Sequence, residues 1–165
     1  MNTMQASKAD GTRPIDRWFA HYSDDHRNAA NQRIHVFAVP MILWSVIALL
    51  WCIPTPGTLF RDGVWAGLAM AAAGAFYVRA SRPLGAGMVF VFVLMGLLTH
   101  AIAIALGLRV LLMAAIVVFV IAWIAQFVGH KLEGRKPSFL TDLTYLLIGP
   151  AWVLAKLYRR LGLRY

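Results

Sequence analysis

The sequence predicts an all-α, polytopic membrane protein, and three observations carry that prediction. Sixty per cent of the 165 residues are hydrophobic, and the mean hydropathy is +0.65. Only 14% are charged, well below the roughly 25% usual in soluble domains. The charges are also segregated, since residues 36–128 hold only Arg61, Asp62, Arg79, Arg82 and Arg109. A stretch so poor in charge cannot form the surface of a soluble domain, whereas about 20 mostly apolar residues suffice for one helix to cross a bilayer.

Taken in order, residues 1–33 form a polar segment in which Asp10, Asp16, Asp24 and Asp25 lie among basic residues. It lacks the charged-then-apolar pattern of a cleaved signal peptide, so insertion relies on internal segments. Ile34 to Ile53 is the first apolar stretch and ends at the Pro54-Thr55-Pro56-Gly57 turn. Val64 to Val78 is a short second, in which Gly67, Ala71 and Gly74 suit close packing against a neighbour. Leu84 to Leu108 is the third and Val110 to His130 the fourth. The Arg79-to-Pro83 link suits a tight helical hairpin, and Gly107 with Arg109 marks the next turn.

A fifth stretch, Phe139 to Leu157, has Asp142 near its start and Gly149-Pro150 in its middle. Proline inside a helix removes a hydrogen bond and crowds the preceding turn, so a kinked or broken helix is expected, interfacial or re-entrant. The expectation is one integral-membrane domain over residues 1–165. About four transmembrane helices and the kinked C-terminal helix occupy residues 34–157, followed by a basic tail at 158–165.

Lys and Arg concentrate in cytoplasmic loops. Placing Lys8, Arg13, Arg17, Arg27 and Arg33 inside also places Arg79, Arg82, Lys131, Arg135 and Lys136 inside. Each outer loop then keeps one basic residue, Arg61 or Arg109. If the fifth stretch does not cross, the C-terminal Lys156, Arg159, Arg160 and Arg164 stay inside as well, and both termini are cytoplasmic. The net charge of +9 does not call for nucleic acid, because the basic residues after Gly129 lie beside apolar segments and are interleaved with Trp152, Tyr158 and Tyr165. The single cysteine, Cys52, excludes an intramolecular disulfide and a CxxC motif.

This topology brings the start of the first stretch and the end of the fourth to one membrane face, so His26, His35 and His130 can converge. Gln126, His130 and Glu133 lie at i, i+4 and i+7, on one helix face. Asn31 and His35 are likewise i, i+4 neighbours. His26 and His35 are nine residues apart, which on one continuous helix would put them on opposite faces, so the chain must bend between them. Asn28 and Asn31 are capping candidates for that bend.

Imidazole and carboxylate at a membrane boundary are costly unless they bind something. Glu133, the sole glutamate, is a candidate ligand or an acceptor for a ligand's second ring nitrogen. With no thiolate pair, structural zinc and iron–sulfur centres are disfavoured, whereas imidazole and carboxylate suit non-haem iron as well as manganese or zinc. Iron with open positions supports oxygenase chemistry. His21 stays ambiguous. His100, about 24 Å from the cytoplasmic start of its segment, is too deep to join the others.

Two blocks carry a family resemblance: His26-Arg27-Asn28-Ala29-Ala30-Asn31-Gln32-Arg33-Ile34-His35 followed by Val39-Pro40, and Trp123-Ile124-Ala125-Gln126-Phe127-Val128-Gly129-His130-Lys131-Leu132-Glu133-Gly134-Arg135-Lys136-Pro137. They resemble the signature blocks of the 2-hydroxy fatty acid dioxygenase family, from about Trp18 to Tyr165. Leu147-Ile148-Gly149-Pro150-Ala151-Trp152 is similar to its bacterial branch. Ala29 departs from the pattern, where proline is frequent.

The resemblance implies a small multi-helix membrane protein, in a bacterial inner membrane, that uses Fe(II) and O2 in fatty acid α-oxidation. It would shorten a 2-hydroxy fatty acid by one carbon. His26, His35 and His130 correspond to the signature histidines, with Asn31, Gln126 and Glu133 in the same blocks. Arg135 or Lys136 is placed to assist the substrate carboxylate, with the alkyl tail among the apolar helices. Two other readings stand beside this one: a non-enzymatic small membrane protein, transporter or scaffold, and a b-type cytochrome.

Overall fold

The computed structural model describes residues 13–56, 61–134 and 144–165. They form six α-helices: α1 Pro14–Asp24, α2 Ala29–Trp51, α3 Val64–Ala80, α4 Arg82–Leu106, α5 Leu108–Glu133 and α6 Thr144–Arg160. The punctuation is local chemistry. The Asn28 side chain caps α2 by accepting from the amides of Ala30 and Asn31. Pro83 sits in the first turn of α4, where a missing N–H costs nothing. Gly107 turns the chain between α4 and α5 at φ 82°, a region that side-chain-bearing residues rarely enter.

Helices α2, α4 and α5 are long and apolar enough to cross a membrane. At 17 residues, α3 is shorter, about 25 Å at 1.5 Å per residue against a hydrocarbon core of ~30 Å. α4 and α5 turn Phe90, Leu97, Ile104, Met113 and Ile121 outward, an exposed apolar surface suited to lipid rather than water.

α2 packs chiefly on α5, and α3 on α4 as a hairpin. The hairpin closes tightly because Gly85 has no side chain: a Cβ there would meet the Val78 backbone at 2.5 Å. Of the small residues on α3, Gly74 is buried against Val89, whereas Gly67 faces open space.

The first helix lies within the segment expected to be merely polar. Ile15, Phe19 and Tyr22, at i, i+4 and i+7, are buried and join Ile148, Ala151, Trp152 and Ala155 of α6 in the main core. α6 packs on α1, α2 and α4.

Of the two expectations at Gly149-Pro150, a kink or a break, the break does not occur: the helix runs from Thr144 to Arg160 with Pro150 inside it. Pro150 removes the helical donor of the Leu146 carbonyl, and the next carbonyl, that of Leu147, accepts a 2.6 Å bond from the Tyr77 hydroxyl, a donor from outside the helix. Packing on three neighbours holds the rest. Asp142 and Phe139, at the expected start of this stretch, lie outside the described residues.

Candidate metal centre

Three histidines from three parts of the chain meet. One ring nitrogen of each of His26, His35 and His130 lies within 4.8 Å of the others, and all three residues are buried. His26 sits in the link between α1 and α2, His35 in the second turn of α2, and His130 in the last turn of α5. The required bend is the Asp25-to-Asn28 link.

Hydrogen bonds fix the tautomers of the first two. His26 Nδ1 lies 2.6 Å from the Tyr22 carbonyl oxygen and His35 Nδ1 lies 2.9 Å from that of Asn31. A carbonyl oxygen only accepts, so each Nδ1 carries the hydrogen and each Nε2 presents a lone pair. The two Nε2 atoms nevertheless face each other at 3.0 Å. Two lone pairs at that distance repel unless an electrophile lies between or beside them. His130 Nδ1 is buried with no hydrogen-bond partner among the described residues. This donor set fits a metal ion that takes imidazole nitrogen.

The surroundings keep His26 neutral. Burial lowers its pKa below the ordinary value, and the positive charge of Lys156 acts the same way, against the Tyr22 hydrogen bond and the charges of Asp25 and Glu133. Tyr22 stacks on the His26 ring at 4.2 Å between centroids, and burial raises its own pKa.

Glu133, expected as a ligand or as an acceptor for an imidazole, lies outside the three-histidine group found among the described residues. Its carboxylate accepts from the amides of Arg27 and Asn28 at 2.8 and 2.9 Å and from the Asn31 side chain at 2.9 Å. The amides of Arg27 and Asn28 precede the start of α2, where the positive end of the helix dipole favours a carboxylate. Glu133 therefore ties the end of α5 to the start of α2 and holds the bend that aligns His26 with His35.

Asn31 is buried between these two roles, donating to Glu133 and offering its carbonyl to His35. Its Oδ1 would lie 2.4 Å from a Cβ on Gly129, so α5 approaches this closely only because residue 129 is glycine.

The cluster heads a cavity of about 270 Å³. Gln126 and Trp123 of α5 line it beside His130, and Val39, Ile42, Leu43 and Val46 of α2 extend it as an apolar wall. Leu147, Gly149 and Pro150 of α6 close the other side.

His21 is exposed on α1 and does not join. His100 packs 5.7 Å from the Trp51 ring, at the opposite end of α2 from His35. Arg135 and Lys136 lie outside the described residues.

Sequence reasoning missed the contribution of α6. Trp152 donates to Ser23 Oγ at 2.9 Å, and Lys156 lies 3.8 Å over the Trp152 ring and donates to Gln32 at 2.7 Å. Gln32 in turn donates to the His26 carbonyl at 2.6 Å. The only signal for this was the Trp152 position in the tail block.

Fold and site together define an all-helical protein with membrane-length apolar helices and a buried three-imidazole cluster at the head of an apolar cavity. The chain belongs to the Mpo1-like family, whose model, described as 2-hydroxy-palmitic acid dioxygenase Mpo1-like, matches residues 12–161. This is the family to which the two signature blocks pointed. Comparison with curated proteins and with solved structures finds no match.

Proposed function

We propose that this chain is an integral-membrane, Fe(II)-dependent dioxygenase that takes a 2-hydroxy fatty acid and O2 and shortens the acid by one carbon. The observation that carries the reading is the meeting of His26, His35 and His130 at the polar end of an apolar cavity, in a chain of this family. The same lone-pair geometry would hold manganese or zinc; the family's dioxygenase description favours iron.

His26, His35 and His130 would hold the metal, with catalytic importance that Glu133 shares only by holding the bend. Bound there, Fe(II) supplies the one-electron chemistry that O2 needs to react with a closed-shell acid. The protein's own residues do the rest. The Tyr22 and Asn31 carbonyls keep two imidazoles in the ligating tautomer. The apolar wall from Val39 to Val46 accommodates the alkyl tail and excludes water, and the buried cluster meets the carboxylate end. Arg135 or Lys136 is proposed to assist that carboxylate. Loop charge supports four crossings, with both termini on the cytoplasmic face of a bacterial inner membrane.

The b-type cytochrome reading fits less well, since the His26 and His35 ring centroids, 4.3 Å apart, leave no room for a macrocycle between them. A strong Soret band in the purified protein would reverse that judgement. The transporter or scaffold reading gains if His26→Ala and His130→Ala leave cellular function intact.

The test is anaerobic reconstitution with Fe(II), followed by 2-hydroxy fatty acids and O2. A product one carbon shorter is expected. Bound iron without turnover at any chain length overturns the reading.

A further inference from the structure

We propose that Gln126 is the residue that selects a 2-hydroxy acid over an unsubstituted one, by accepting a hydrogen bond from the 2-hydroxyl group. This deepens the function proposed above and rests on its substrate class.

Gln126 is 6% exposed, and its Oε1 is buried with no hydrogen-bond partner among the described residues. It lines the same cavity as the three histidines, four residues and hence about 6 Å before His130 on α5. The α2 side of the lining, Val39, Ile42, Leu43 and Val46, is hydrocarbon, and Tyr22 and Tyr145 complete the polar side. The cavity therefore combines an imidazole cluster, an unpaired amide acceptor one helical turn from it, and an apolar wall. That combination suits a ligand with an anionic head, a hydrogen-bond donor on the adjacent carbon, and an alkyl tail.

A buried acceptor left without a donor costs free energy, and a site built around such a group rejects a ligand that cannot satisfy it. An unsubstituted acid would place a methylene beside Oε1 and leave it unpaired. A 2-hydroxy acid donates its hydroxyl hydrogen there, while the oxygen lone pairs remain directed elsewhere. No electron or proton is transferred in this step.

The test is anaerobic equilibrium binding of 2-hydroxyhexadecanoate, 2-fluorohexadecanoate and hexadecanoate to the full chain in micelles, for the wild type, Gln126→Met and Gln126→Leu. The wild type is expected to bind the hydroxy acid at least ~10-fold more tightly than either other acid. The fluoro acid removes the donor without altering the protein, so this arm stands even if a variant does not fold. In Gln126→Met the preference is expected to collapse through weaker binding of the hydroxy acid alone. The midpoint of thermal unfolding of the ligand-free variant should not fall, because no protein hydrogen bond to Oε1 is lost.

An undiminished preference in both variants, or no preference in the wild type, overturns the assignment. If the wild type shows the preference and Gln126→Met loses it, but no shortened product forms with iron and O2, Gln126 keeps its role and the dioxygenase reading falls. Shortened product with an unchanged preference in Gln126→Met has the opposite meaning.

Discussion

The Nε2 atoms of His26 and His35 stand 3.0 Å apart, while the opposite nitrogen of each ring is held by a main-chain carbonyl. The pair is thus built with two lone pairs directed together, an arrangement that a metal cation, or a proton shared between the two rings, relieves.

Metal addition should therefore raise stability. At a free Fe(II) or Mn(II) concentration about 100-fold above its Kd, the folded form gains ~2.7 kcal/mol, on the order of 5–10 °C in Tm for a chain of this size. Chelation should reverse the shift, and His35→Ala should abolish it. Thermal scans with and without metal check this; an equal shift in His35→Ala would refute it.

Glu133→Ala should act on the metal through the bend. Loss of three hydrogen bonds to a partly exposed carboxylate is expected to cost about 1–3 kcal/mol of stability, and metal affinity should drop by roughly 10-fold or more. Glu133→Gln, which keeps one acceptor oxygen, should fall between. Isothermal titration with Mn(II) gives the affinities, and wild-type affinity in Glu133→Ala would show that the bend holds without it.

Two glycines should respond oppositely to alanine. Gly129→Ala pushes a methyl into Asn31 Oδ1 and should destabilise by ~1–3 kcal/mol, with loss of metal affinity because Asn31 anchors His35. Gly67→Ala meets nothing within 4 Å and should stabilise α3 by about 0.5–1 kcal/mol. Denaturation in detergent of both variants side by side makes the comparison.

Trp152→Ala should cost about 3–5 kcal/mol, the loss expected for a buried aromatic, and should also weaken metal binding. Trp152 touches no metal but supports Tyr22 and Ser23, which lead into His26. A stable variant with unaltered metal affinity would remove α6 from the account of the site.

The convergence of the three histidines was legible because it needs only chain parity across the membrane, loop charge and the spacing of the two blocks. The bend was legible because nine residues put His26 and His35 on opposite faces of any single helix, and Asn28 was a recognisable cap. The helix α1 was hidden by its charges, although Ile15, Phe19 and Tyr22 already had helical spacing. The bond from Glu133 to Arg27 and Asn28 spans more than a hundred residues and follows from no local pattern. The bond from Tyr77 of α3 to the Leu147 carbonyl of α6 joins residues 70 apart, which a proline rule applied to one segment cannot see.

The order of synthesis gives the long reach of α5 back to α2 a further meaning. His26 and His35 emerge early, yet the third imidazole and the Glu133 tether follow about a hundred residues later, and α6 follows those. A nascent chain holds no complete site at any stage before its fifth helix is in place. A metal held by all three imidazoles could thus be captured only after α5 has emerged, and a chain terminated earlier presents no assembled three-histidine cluster.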